Sequence, residues 1–221
     1  MNVPPGEPRA GDTDLAQADR ELLRRARHGD FNAFESLVGR FQQRVFGLAF
    51  RILGQRQDAE DVTQQTFLSV LEHLDSFREE SSVATWVLRI ATNHALKLLR
   101  KRRGLPTVPL EAPAGADDNA APLPHPEYIA QWKDGPAELA QRAEVRRLLA
   151  EALDELDVKY RLVFLLRDVE GCPTRETAEM LGLSEAAIKV RLLRARLQLR
   201  ERLTRALGDE ATRIIPSHDH G

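Results

Sequence analysis

Three groups of residues have the types and spacing for molecular recognition. The first is basic: Lys97, Arg100, Lys101, Arg102 and Arg103 close a helical pattern that also carries Asn93 and His94. Cations suit phosphates, and an asparagine can pair with an adenine or meet the edge of an unstacked base. The second runs from Ser184 to Arg200. Ser184 can cap a helix by accepting from a free backbone N–H. On that helix Ala186, Ala187, Val190 and Leu193 are small or apolar, with Lys189, Arg191 and Arg194 as neighbouring cations. Such a face fits close approach to base edges and thymine methyls, with the cations reaching phosphates. The third group is acidic: Asp58, Glu60 and Asp61, continued by Gln64, Gln65 and Phe67.

No comparable set points to catalysis. The six histidines are scattered, and there is no Gly-rich phosphate loop, nucleophile elbow or HExxH. His218 and His220 read as a polar tail rather than metal ligands, and Cys172 as a small semi-buried thiol. No cofactor, metal or small-molecule substrate is expected. Each recognition group also has a plain reading. Acids at a helix start and cations at a helix end complement the helix dipole without any partner.

The elements that would position these groups are helical. Phe34, Leu37, Val38, Phe41, Val45, Leu48, Ala49 and Ile52 form one stripe, and Gly54 stands where a C-terminal cap belongs. Asp58 starts a second helix with the apolar face Phe67, Val70, Leu71 and Leu74. A polar break over 78–82 precedes a third helix, with Trp86, Val87, Ile90, Ala91 and Leu98 on one face. The tryptophan reads as core. In the C-terminal part, Val145, Leu148, Leu149, Ala152, Leu153 and Leu156 form one face, and a helix is predicted over 160–167. A short helix bearing Ala178, Met180 and Leu181 follows, then a turn at Gly182 and a long helix anchored by Ile188, Leu192, Ala195 and Leu199. That layout is a helix-turn-helix.

The 221 residues carry 32 Lys+Arg and 34 Asp+Glu, a net charge of −2. A uniformly basic coat is excluded, but charge sorted into patches is not: residues 173–205 hold eight bases and four acids. One cysteine excludes an intramolecular disulfide framework and fits a reducing compartment. Neither a membrane span nor a signal peptide is evident, so a cytoplasmic protein is expected. Residues 104–136 hold seven of the 12 prolines and five acids against one lysine, without a period. They read as an extended linker, with Tyr128, Ile129 and Trp132 as its apolar exception. The expected organisation is all-α: a disordered tail over 1–18, a helical domain over 19–103, a flexible acidic Pro-rich linker over 104–136, a helix-turn-helix domain over 137–207 and a tail over 208–221.

The segments DAEDVTQQTFLSVLEHLDSF and FREESSVATWVLRIATNHALKLLRKRR resemble region 2 of extracytoplasmic-function (ECF) sigma factors, the small promoter-recognition subunits of bacterial RNA polymerase. RDVEGCPTRETAEMLGLSEAAIKVRLLRAR resembles their region 4. The resemblance covers about 21–103 and 137–203 and includes order, spacing and linker. It implies a region 2 bundle and a region 4 helix-turn-helix. Asp58, Glu60, Asp61, Gln64, Gln65 and Phe67 would grip the β′ clamp helices of core polymerase, and region 4 would meet the β flap. Asn93, Lys97, Arg100, Lys101 and Arg102 would meet the −10 element of promoter DNA. Ser184, Ala187, Lys189, Val190, Arg191 and Arg194 would read the −35 element. An anti-sigma partner protein is also implied. Gln65, Cys172-Pro173, Thr177 and Val190 stand where the family often has Glu, Leu-Ser, Ile and Ser, so the −35 preference does not carry over. Three other readings compete: a stand-alone helix-turn-helix regulator, which would bind duplex DNA tightly without polymerase; an enzyme; and an adaptor that mimics a sigma factor, which would not need a DNA-facing basic segment.

Overall fold

The computed structural model describes residues 10–102 and 143–208. Among them every regular element is helical, and the chain divides into two compact units on either side of residue 107. The linker over 104–136, with Tyr128, Ile129 and Trp132, lies outside the described residues, as do Arg103 and the His218–His220 tail.

The N-terminal unit contains α1 (Ala10–Arg27), α2 (Phe31–Leu53), α3 (Arg56–Glu72), a 3-10 turn (Leu74–Ser76) and α4 (Val83–Arg102). Local chemistry fixes the boundaries. Asp30 caps α2 by accepting from the Ala33 N–H at 3.1 Å. Gly54 ends it at φ 72°, its N–H donating to the Phe50 carbonyl at 2.8 Å. A glycine adopts that left-handed conformation without the Cβ clash of other residues. Ser82 opens α4 by accepting from the Thr85 N–H at 3.0 Å. The core gathers Leu37, Phe41 and Val45 of α2, Val70 of α3, and Val87 and Ala91 of α4. Trp86 packs on its edge, 5.3 Å from the Phe77 ring centroid, so it is a core aromatic as expected.

Three expectations need correction. α1 starts at Ala10, inside the segment read as a disordered tail; the prolines of the first eight residues hide the helical sequence that follows. α3 starts at Arg56, two residues before Asp58. Leu71, assigned to the apolar core face, is exposed. The buried stripe of α3 instead runs through Ala59, Val62, Thr66, Phe67 and Val70.

The C-terminal unit contains α5 (Ala143–Asp154), α6 (Val158–Phe164), a π-turn (Leu165–Val169), α7 (Thr174–Leu181) and α8 (Glu185–Leu207). The helix predicted over 160–167 is therefore α6 running into the π-turn, where the Glu170 N–H reaches back five residues to the Leu165 carbonyl. Leu162, Val163, Leu165, Leu166 and Ile188 are fully buried. Gly182 joins α7 to α8 at φ 67° and donates to the Ala178 carbonyl. Pro173 gives α7 no side-chain cap. The buried Thr177 donates its hydroxyl and its N–H to the Pro173 carbonyl, both at 2.9 Å, so the first turn of α7 is tied from within.

Candidate nucleic-acid interface

One face of α4 carries Trp86, Ile90, Asn93, Lys97 and Arg100, spaced three or four residues apart, with Arg89 beside them. Asn93, Lys97 and Lys101 are exposed and Arg100 is half-buried, so the structure brings the predicted −10 residues together, with one exception. Arg102 turns to the other side of the helix. It forms an ion pair with Asp58 at the start of α3 and donates to Gln55 Oε1 at 2.5 Å. Two predicted surfaces therefore meet at this point. Beside Asn93, the His94 Nε2 lies 3.0 Å from Ser69 Oγ. Burial, with the Lys97 charge second, pushes the imidazole below its ordinary 6.5 and favours the neutral ring.

The acidic group of α3 is presented in part. Glu60, Asp61, Gln64 and Gln65 are exposed, and Glu60 accepts from Arg56 Nε at 2.8 Å. Phe67 is only 9% exposed and belongs to the core cluster, and it also lines a groove between α2 and α3. It falls on the buried stripe, three to four residues from Val70 and Thr63.

Sequence reasoning missed an apolar groove of about 690 Å³ between α2 and α3. Phe34, Val38, Phe46, Leu68 and Leu71 supply its apolar wall, and Gln64 and Glu60 its rim. Leu68 and Leu71 are 46% and 47% exposed. Phe46 stacks on the exposed Phe50 with 6.1 Å between ring centroids, and the Arg56 guanidinium lies 6.0 Å from the Phe46 centroid. The signal was available in the sequence. Both helices hold more apolar residues than one buried stripe accommodates.

On α8, Ile188, Leu192, Ala195 and Leu199 form the buried anchor, as predicted. Ser184 caps the helix by accepting from the Ala187 N–H at 3.1 Å. Ala186, Lys189 and Leu193 are exposed, and Ala187 and Val190 half-buried. Arg191 and Arg194 are not presented: only 4% and 6% of their surfaces are exposed. The expected DNA contacts thus include two arginines that this fold buries. They flank the anchor stripe, and α6 closes over that flank, where Arg194 Nη1 donates to the Tyr160 hydroxyl at 3.4 Å. Long aliphatic stems let arginines line such a seam. The exposed cation after them is Arg196, held by two 2.7 Å bonds to the Asp168 carboxylate, which raise its pKa.

Among the described residues no helix is long and apolar enough to cross a membrane, and no cluster of three or more His, Cys, Asp or Glu could hold a metal ion.

Comparison with known proteins matches these units one by one. The family described as Sigma-70 region 2 matches residues 37–104, and Sigma-70, region 4 matches residues 146–199. The ECF RNA polymerase sigma factor SigG of Mycobacterium tuberculosis is 35% identical over 182 residues, which cover 78% of this chain and 48% of SigG. The chain thus spans about half the length of that relative. The ECF RNA polymerase sigma factor SigM of the same species is 31% identical over 192 residues, covering 87% of this chain and 86% of SigM. Among solved structures, CnrH in complex with the cytosolic domain of CnrY is similar, with a TM-score of 0.56 and 28% identity over 85% of this chain and 98% of CnrH. A helical unit with a basic strip, followed by a helix-turn-helix unit, both matched by their family models, and a relative 31% identical and matched along most of its length, place the chain in the family of ECF RNA polymerase sigma factors.

Proposed function

We propose that this chain binds core RNA polymerase and directs it to a restricted set of promoters, doing no chemistry of its own. The observation that carries the reading is the pairing of two separate faces fit for nucleic acid, one on each unit. The strip of Asn93, Lys97, Arg100 and Lys101 on α4 suits an unstacked −10 strand, with cations for phosphates and an amide for a base edge. The arc of Ser184, Ala187, Lys189 and Val190 on α8, joined by Ala186 and Leu193, suits the major groove at the −35 element. Glu60, Asp61, Gln64 and Gln65, with the groove beside them, are the surface offered to the β′ clamp helices, and the C-terminal unit meets the β flap.

Each face carries only a few exposed cations, so neither alone gains much affinity for DNA through counterion release. Polymerase supplies the rest by holding both faces along one promoter, which raises the effective concentration of each. Capture of single-stranded bases then offsets the few kcal/mol that unstacking costs. The protein works in the cytoplasm, bound to polymerase on the nucleoid, with residues 104–136 as the linker between its two domains. An anti-sigma protein completes the proposed partner set, and the similar CnrH is itself found in complex with another protein, the cytosolic domain of CnrY.

The test is transcription of sheared host genomic DNA by core polymerase, with and without the chain, followed by mapping of transcript 5′ ends. Discrete start sites that need both components are expected. Failure to associate with core polymerase, together with tight binding to duplex DNA by the chain alone, would show a stand-alone regulator instead.

A further inference from the structure

We propose that Asp58 and Arg102 form an internal clamp that positions the basic end of α4, so that Asp58 serves the −10 interface through Arg102 rather than by gripping polymerase. The inference rests on the −10 reading of α4 given above and reassigns both residues within it.

Three observations lead there. First, helical spacing puts Asn93, Lys97 and Arg100 on one face, and Arg102 on the opposite one, toward α3. Second, Arg102 is occupied. It pairs with the Asp58 carboxylate and donates to Gln55 Oε1 at 2.5 Å. Gln55 is the N-cap residue of α3, yet its side chain makes no cap bond there and is turned to the end of α4. Third, Asp58 differs from its acidic neighbours. Its side chain is 16% exposed, whereas Glu60 and Asp61 face solvent. A carboxylate turned inward onto an arginine has little left to offer an outside partner.

The end of α4 needs such a clamp. Lys97, Arg100 and Lys101 are like charges at neighbouring helical positions and repel one another. The Arg102–Asp58 pair across to α3 leaves that repulsion in place but ties the last described turn to a second helix against it. Arg100 and Lys101 then keep the helical placement that puts Arg100 in register with Lys97. Without the tie the last turn frays, and two cations leave the strip.

The experiment uses the full chain and its holoenzyme with host core polymerase. Asp58→Asn, Arg102→Gln, the exchange Asp58→Arg with Arg102→Asp, and Asp61→Ala are compared. The DNA probe is a fluorescein-labelled single-stranded pool of randomised sequence. Asp58→Asn and Arg102→Gln are each expected to weaken probe binding by the holoenzyme about three- to tenfold, with the salt slope falling by about 0.7 for each phosphate no longer neutralised. The exchange restores the opposite-charge pair and brings binding back to within about twofold of the parent chain, while Asp58→Asn leaves core affinity within about twofold. Asp61→Ala weakens core binding and marks the signature of a disrupted polymerase surface. Hydrogen exchange in Asp58→Asn accelerates in the last turn of α4 and not in its middle, a readout that stands even where the exchanged pair folds poorly.

Unchanged or tighter probe binding by Asp58→Asn overturns the clamp, as does a fall in core affinity like that of Asp61→Ala. Weakening by Arg102→Gln that a folded exchange variant does not reverse also overturns it, because Arg102 would then touch DNA itself. If the unaltered holoenzyme does not bind the probe at all, the −10 reading is what has failed.

Discussion

Removing the two exposed leucines of α3 separates an apolar docking surface from a merely charged one. Leu68 and Leu71 are 46% and 47% exposed on the wall of the α2–α3 groove. Full burial of a leucine contributes about 1.5–3 kcal/mol, so about half of that, roughly 1 kcal/mol each, is available to a partner that covers the groove. The double variant Leu68→Ala/Leu71→Ala then loses about 2 kcal/mol of polymerase affinity, roughly a thirtyfold rise in Kd. The figure is an upper one, because each alanine keeps its Cβ. Titration of the labelled chain with core polymerase over a range of salt reads the effect. The Kd rises at every salt concentration while the salt dependence stays that of the parent chain, since no charge has been removed. Thermal unfolding of the free chain shifts little, because half of each side chain was in water already. A Kd within about twofold of the parent would refute the assignment of the groove to polymerase. A change in salt slope would show that the leucines act by disturbing Glu60 and Asp61.

Two further predictions concern the supports of the reading faces. Ser184→Ala removes the cap of α8 at a cost of about 1 kcal/mol, lowering the unfolding temperature of the C-terminal unit by about 4–8 °C, whereas Ser184→Asp keeps it. Calorimetry of the two variants decides whether Ser184 acts as a cap. The depressed pKa of His94 makes the neutral ring the folded form. Between its folded value and 6.5 the unfolded chain binds more protons, so the contribution to stability is complete above pH 6.5 and declines as the pH falls through that window. His94→Gln removes that part of the acid dependence, which denaturant titrations at several pH values would measure.

Much of the fold was legible because its signals are local. Gly54 and Gly182 end helices, Ser184 starts one, and the Ile188–Leu199 stripe repeats at helical spacing; each needs only its own few neighbours. The membership of each reading face was less legible. Arg191 and Arg194 are cations beside a buried stripe, and on sequence either flank of that stripe is equally open. Only the arrival of Tyr160 on α6, far away in the chain, closes one of them. Arg102 raises the same difficulty: its partner Asp58 lies on another helix. Leu71 misled in the opposite sense. Apolar character identifies residues that avoid water, but not whether the cover comes from the same chain. The π-turn has no short sequence mark, so α6 read as one continuous helix.

The division of labour on α8 has an evolutionary consequence. The residues that moor the helix and those that look outward are different residues: Ile188, Leu192, Ala195 and Leu199 on one side, Ala186, Lys189, Val190 and Leu193 on the other. A lineage can therefore rewrite the outward set one position at a time without loosening the mooring. On the −35 reading proposed for that set, duplicated copies of such a gene are free to drift toward different regulatory vocabularies, and a designer wanting insulated genetic circuits can randomise those four positions while leaving the scaffold untouched.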